Sequence, residues 1–153
     1  MENRYLNFLD KYKDKLGNTK GITTQEIQDI ETYFNIKLPQ AYIEYLSCFG
    51  KESGNLLSSY YTEYSVLKEN REDAIYALNF DDRIPIINKP IIKDSYFFFA
   101  QWQGGVFFFF DCNAISDNPP IYILENIKIY KYIDSFSNFI HDEGLKPILD
   151  SGI

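Results

Sequence analysis

The stretch "YFFFAQWQGGVFFFFD", Tyr96 to Asp111, holds seven phenylalanines, a tyrosine and a tryptophan within sixteen residues. A soluble chain must bury such a segment, and the way it does so decides the fold. A membrane span is excluded: the apolar runs Tyr96–Ala100 and Val106–Phe110 are five residues each, whereas a spanning helix needs about 20. Gly104-Gly105 predicts a two-residue type I′ hairpin loop, because both residues tolerate positive φ. That register sets Val106 opposite Gln103, Phe108 opposite Gln101 and Phe110 opposite Phe99. One face then carries Phe97, Phe99, Gln101, Gln103, Val106, Phe108, Phe110 and Cys112. The other carries Tyr96, Phe98, Ala100, Trp102, Phe107, Phe109 and Asp111. Both faces are apolar, so the strands are expected to be central and covered on both sides. An exposed aromatic surface is the alternative, with Trp102 as its candidate.

Working outward, further strands are predicted for "IPIIN", "PIYILEN" and "KIYKYI", each bounded by Pro, Asn or Asp, and "LLSSYYTEYSVL" has strand-like content. Helices are expected elsewhere. In "ENRYLNFLDKYKDKLG", Tyr5, Leu9, Tyr12 and Leu16 repeat at three- and four-residue steps before Gly17. In "ITTQEIQDIETYF", Thr23 and Glu26 form a capping box with Ile22 and Ile27 at the staple positions. Pro39 suits the first position of a helix through "LPQAYIEYLSCFG", with Gly50 as a left-handed stop. "KENREDAIYALNF" turns Ala74, Ile75 and Leu78 inward and Glu69, Glu72 and Asp73 outward. "DSFSNFIHDEG" is a closing helix capped by Asp134 or Ser135.

At 153 residues the chain fits one domain, burying roughly 70% of its unfolded surface. Its 15 basic against 22 acidic side chains leave a net charge of −7, with five basic and three acidic residues in the first twenty. The acidic body argues against direct nucleic-acid binding, which needs clustered Lys and Arg. It suits a basic partner, or simply solubility. The N-terminus lacks the apolar core of a signal peptide, so a cytoplasmic location is expected. Cys48 and Cys112 have no disulfide-framework or metal spacing and are expected to be reduced.

No catalytic constellation is visible. His141 is the one histidine, so a multi-His metal centre is ruled out. "QWQGGV" lacks the Lys and following helix of a phosphate loop, and Asp81-Asp82 reads as a solvated turn. Neither enzyme activity nor a cofactor or metal is expected.

The order of motifs is more specific than any one of them. "ITTQEIQDIETYFNIKLP" runs into "LPQAYIEYLSCFG", followed by "FFFAQWQGGVFFFFD", "PPIYILEN" and "YIDSFSNFI". This succession resembles the SUKH superfamily, which includes a yeast regulator of cell-wall synthesis and many bacterial toxin-immunity proteins. Leu38, Pro39, Tyr42, Leu46 and Gly50 match its Leu-Pro step, Tyr-containing helix and glycine. Gly105 and Asp111 match its hairpin, and Ser135, Phe136 and Phe139 its closing helix. The chain departs from the family at "CFGKESG", where members often carry Asn-Gly-Gly. The resemblance covers about residues 22–143, with 1–21 as an added N-terminal helix and linker and 144–153 as a tail. It implies a single α+β domain, with N-terminal helices and a C-terminal helix packed on a largely antiparallel sheet of about five to six strands. It also implies a cytoplasmic immunity protein binding a cognate toxin domain, a nuclease in many members, with a regulatory scaffold as the alternative. For the partner surface, Glu69, Glu72, Asp73, Asp81 and Asp82 are expected to mimic phosphate toward a basic toxin, with Trp102 as an aromatic anchor. The simpler reading of those acids is a solvated helix face with a Lys68–Glu72 pair.

Overall fold

The computed structural model describes residues 4–152. Glu2 and Asn3, which open the first predicted helix, lie outside the described residues. The fold is α+β: four antiparallel strands in the order β1-β2-β3-β4 (Tyr96–Trp102, Val106–Asp111, Ile121–Glu125 and Lys128–Ile133) with helices on both faces. One face carries α1 (Thr24–Phe34), α2 (Gln40–Phe49) and α4 (Phe136–Phe139), and the other α3 (Leu67–Asn79).

Among the described residues four strands form, rather than five to six. "IPIIN" instead makes a 3-10 turn at Ile86–Asn88, because Pro85 and Pro90 remove the N–H donors that a ladder would use. "LLSSYYTEYSVL" contributes a lone bridge, Tyr61 to Gln101. The first helix is a 3-10 helix over Asn7–Lys15. Leu6, Leu9 and Tyr12 fall at three-residue steps, the period of that helix, and Leu6 and Leu9 are buried. Its start is tied down by Glu44 of α2, whose Oε1 accepts from the N–H groups of Tyr5 (2.9 Å) and Leu6 (3.2 Å).

Local chemistry shapes the helices. Thr23 Oγ1 accepts from Glu26 N and Glu26 Oε1 from Thr23 N, so the capping box of α1 is complete. Pro39 is the N-cap of α2 in an extended conformation (ψ 150°), one position earlier than expected. Gly50 has φ −65° and is right-handed, not the left-handed stop predicted. A side chain there would put a Cβ 2.7 Å from the Leu46 carbonyl oxygen, so close approach rather than φ calls for glycine. In α3, Ala74 and Leu78 turn inward, but Ile75 is turned to solvent. Ser135, not Asp134, caps α4, its Oγ accepting from Asn138 N. The chain continues through a π-helical turn, Ile140–Leu145, into α5 (Lys146–Asp150), and Leu145 and Ile148 join the main core.

The aromatic hairpin is the centre of that core. Phe97, Phe99, Phe108 and Phe110 pack on the face of α1, α2 and α4, where Tyr42 touches Phe97, Phe99, Phe110 and Phe136. Phe98, Phe107 and Phe109 face α3 with Ala74, Leu78 and Leu124. The two faces are therefore as predicted for these phenylalanines, yet the register is not. Three residues form the loop, with Gln103 and Gly104 at φ +51° and +69°, and Trp102 rather than Gln103 opposes Val106. A bulge between Phe98 and Ala100 shifts the pairing by one more residue, so that Phe97 opposes Phe110. Two single-residue shifts restore side-chain parity beyond the bulge but invert it between bulge and loop. Ala100 and Trp102 thus lie on the face opposite to that expected, and Gln101 turns toward α3. The inversion has a polar cause. On the expected face Gln101 would be an unsatisfied amide among phenylalanines; on the actual one its Nε2 donates to Asn70 Oδ1 and Asp73 Oδ2, each at 2.9 Å. β1 is an edge strand rather than a central one, and Tyr61 N covers part of that edge by donating to Gln101 O at 3.0 Å.

Candidate partner-binding surface

Most residues of the ordered motifs sit inside the fold. Leu38, Tyr42, Leu46, Phe136 and Phe139 are buried. Asp111 Oδ1 accepts from Asn113 N at 2.9 Å and fixes the turn leaving β2. Gly105 follows the two left-handed residues of the hairpin loop.

The exposed candidates divide. Buried Leu67, Asn70, Ala74 and Leu78 set the inner face of α3, so helical periodicity puts Glu69, Glu72, Asp73, Tyr76 and Phe80 along the outer one. All five are exposed. Lys68 does not pair with Glu72; its Nζ lies 4.0 Å from the centre of the Tyr33 ring. Among the described residues Glu69, Glu72, Asp73 and Asp82 have no ion pair within 4.0 Å, although Asp73 accepts from Gln101. Asp81 is different. Its carboxylate holds the Arg83 guanidinium through two bonds (3.0 and 3.1 Å) and accepts from Arg83 N, and these bonds pull its pKa below the usual carboxylate range. Its charge is largely spent in closing the turn after α3. Trp102, 41% exposed, opposes Val106 on the sheet face away from α3. The structure brings Glu69, Glu72 and Asp73 together, sets Asp81 and Asp82 just beyond the helix, and separates Trp102 from them.

Sequence reasoning missed the apolar part of this region. Phe80, Ile86, Ile87 and Ile91 are 73%, 85%, 91% and 78% exposed, and Tyr76 stacks at a tilt on Phe80 with ring centres 5.9 Å apart. The available signal was the pair Pro85 and Pro90, which argues against burying "IPIIN" as a strand. Asp73, Tyr76, Phe80 and Gly104 border a depression of about 380 Å³.

A larger groove, about 1180 Å³, runs between α1, the start of α3 and the start of β1. Its Lys68 and Arg71 are committed: Lys68 to Tyr33, and Arg71 to the Tyr96 carbonyl (2.9 Å) and Asp94 (3.7 Å). Cys112 borders it, its thiol pushed up to about 12 by burial and by the carboxylates of Asp111 and Glu31. Such a thiol stays protonated at neutral pH, and the thiolate is the reactive form. His141 Nδ1 lies 2.8 Å from Asp142 Oδ1 at the surface. Among the described residues no group of three or more His, Cys, Asp or Glu is arranged to hold a metal ion, and no helix is long and apolar enough to cross a membrane.

The comparison with curated proteins gives no match. Residues 21–142, however, match the SMI1 / KNR4 family (SUKH-1), a span that runs from the residue before Ile22 to just beyond α4. With the capped α1, the Leu38-Pro39 entry into α2, the aromatic hairpin and the Ser135-capped α4 all inside that span, the chain belongs to the SMI1 / KNR4 family (SUKH-1).

Proposed function

We propose that this chain is a cytoplasmic immunity protein that neutralises a cognate toxin domain by binding it, with no catalysis of its own. Family membership supports a protein partner. The observation that carries the reading is the outer face of α3, where Glu69, Glu72 and Asp73 stand beside Tyr76 without an ion pair among the described residues. Carboxylates left uncompensated in this way attract a cationic surface, and a toxin that grips phosphate presents one. Aromatic side chains next to such charges supply the desolvated contacts that hold a complex.

The test is association of the purified chain with a candidate toxin domain, the C-terminal domain of the protein encoded by the adjacent gene, at two ionic strengths. Replacing Glu69 and Glu72 by Lys should slow association at least about tenfold at low salt, with the difference shrinking as salt rises. Protection of cells expressing that toxin should fall in parallel. A wild-type chain that neither binds the toxin nor protects would instead favour a regulatory scaffold acting on endogenous proteins.

A further inference from the structure

We infer that residues 80–91, with Ile75 and Tyr76 at the end of α3, form the apolar anchor of the partner surface, and that their occupant is a protein face with an apolar depression bordered by lysine and arginine. This rests on the reading that the outer face of α3 meets a protein partner. Isoleucine is among the residues most often buried, yet Ile86, Ile87 and Ile91 are each more than three-quarters exposed. They are not surplus core. The second sheet face is already closed by Ala74, Leu78 and the partly buried Ile92.

The loop is held in this form at both ends. Arg83 clamps Asp81 at one end, and Arg71 holds the Lys93 and Tyr96 carbonyls at the other. Between them Asn88 N donates to Pro85 O (2.9 Å) and Lys89 N to Ile86 O (3.0 Å), a self-bonded turn that presents consecutive isoleucines outward. A surface prepared in advance forfeits little ordering entropy on binding.

Charge selects the occupant. Residues 69–94 carry six acids and four bases. Arg83 is neutralised by Asp81 and Arg71 pairs with Asp94, which leaves Glu69, Glu72, Asp73 and Asp82, with no ion pair among the described residues, against Lys89 and Lys93, so the border keeps an excess of negative charge. A second copy of this chain would bring the same acidic border against itself, on a body of net charge −7. A basic-bordered partner meets it with opposite sign.

The experiment compares the full chain with its Ile86→Ser/Ile87→Ser/Ile91→Ser variant, using the same candidate toxin domain, the C-terminal domain encoded by the adjacent gene, as probe. Circular dichroism and the thermal midpoint should be unchanged, since exposed side chains are being replaced. Toxin affinity should fall about 100-fold, chiefly through faster dissociation, and hydrogen exchange should show residues 80–91 protected in the wild-type complex. Should the triple variant unfold, Phe80→Ser alone should still raise the dissociation rate at least about tenfold. Equal affinity in wild type and variant would overturn the anchor while leaving the immunity reading in place. A wild-type dimer that the triple substitution converts to monomer would overturn the assigned occupant. A wild-type chain that fails to bind the toxin removes the immunity reading and the anchor with it.

Discussion

Replacing Gln101 by Leu tests the hairpin register through the sign of its effect on stability. Gln101 is 4% exposed, and its amide donates to Asn70 Oδ1 and Asp73 Oδ2 at 2.9 Å. Asn70 is fully buried and spends its own amide on the Tyr61 carbonyl at 3.0 Å. Leucine would leave Asn70 Oδ1 without its donor, a loss of about 1–3 kcal/mol. The bond to Asp73 adds less, because that carboxylate is exposed. Added apolar burial returns about 1 kcal/mol, leaving a net loss near 2 kcal/mol and a thermal midpoint lower by about 4–8 °C for a chain of this size. Urea unfolding with the m-value held constant is the assay. An Asn70→Leu/Gln101→Leu double variant should cost less than the two single changes together, because both partners are then gone. With a two-residue Gly104-Gly105 loop, Gln101 would point among Phe99, Phe108 and Phe110, and leucine would stabilise the protein. A stability gain, or strict additivity in the cycle, would refute the register and the polar reason given for it.

Other outcomes follow from the same core. Leu46→Ala and Phe108→Ala should each cost about 2–5 kcal/mol in chemical unfolding, since both side chains are buried in the main cluster and leave cavities; a loss under about 1 kcal/mol would place the core elsewhere. Stability should hold to about pH 9 and then fall. Burial, the largest cause in each case, raises Cys112 from 9.0 to about 12 and Tyr45 and Tyr60 from 10.0 to about 12, so the folded state keeps protons that the unfolded chain releases. A pH titration of the urea midpoint checks this, and a flat profile to pH 11 would contradict it. His141→Ala should leave toxin binding and protection intact, because the imidazole is surface-exposed beside Asp142; lost protection with an unchanged melting curve would point to a role for that ring.

How legible each element was depended on the range of the interactions that make it. The capping box at Thr23 and Glu26, the Ser135 cap and the two-faced phenylalanine strands depend on neighbours three residues apart or on simple alternation, and both can be read along the chain. The partner surface was half legible. Periodicity turned Glu69, Glu72 and Asp73 outward, but whether Lys68 answers Glu72 depended on Tyr33, far away in sequence, which offers its ring instead. Trp102 could not be placed without the loop.

Alternation and composition were enough to establish an acidic chain that buries both faces of its phenylalanine hairpin, and motif order was enough to suggest the family and, through it, the α+β class. Packing settled what alternation cannot: a one-residue change in a turn reverses every side chain until a bulge corrects it. Gln101 was placed by whether its amide could find partners, and those partners, Asn70 and Asp73, lie on another element about thirty residues away. The isoleucines at 86, 87 and 91 illustrate the same limit from the other side. Their composition points to burial, but α3 and Ile92 already occupy the space on that face of the sheet, and prolines withhold the donors a further strand would need.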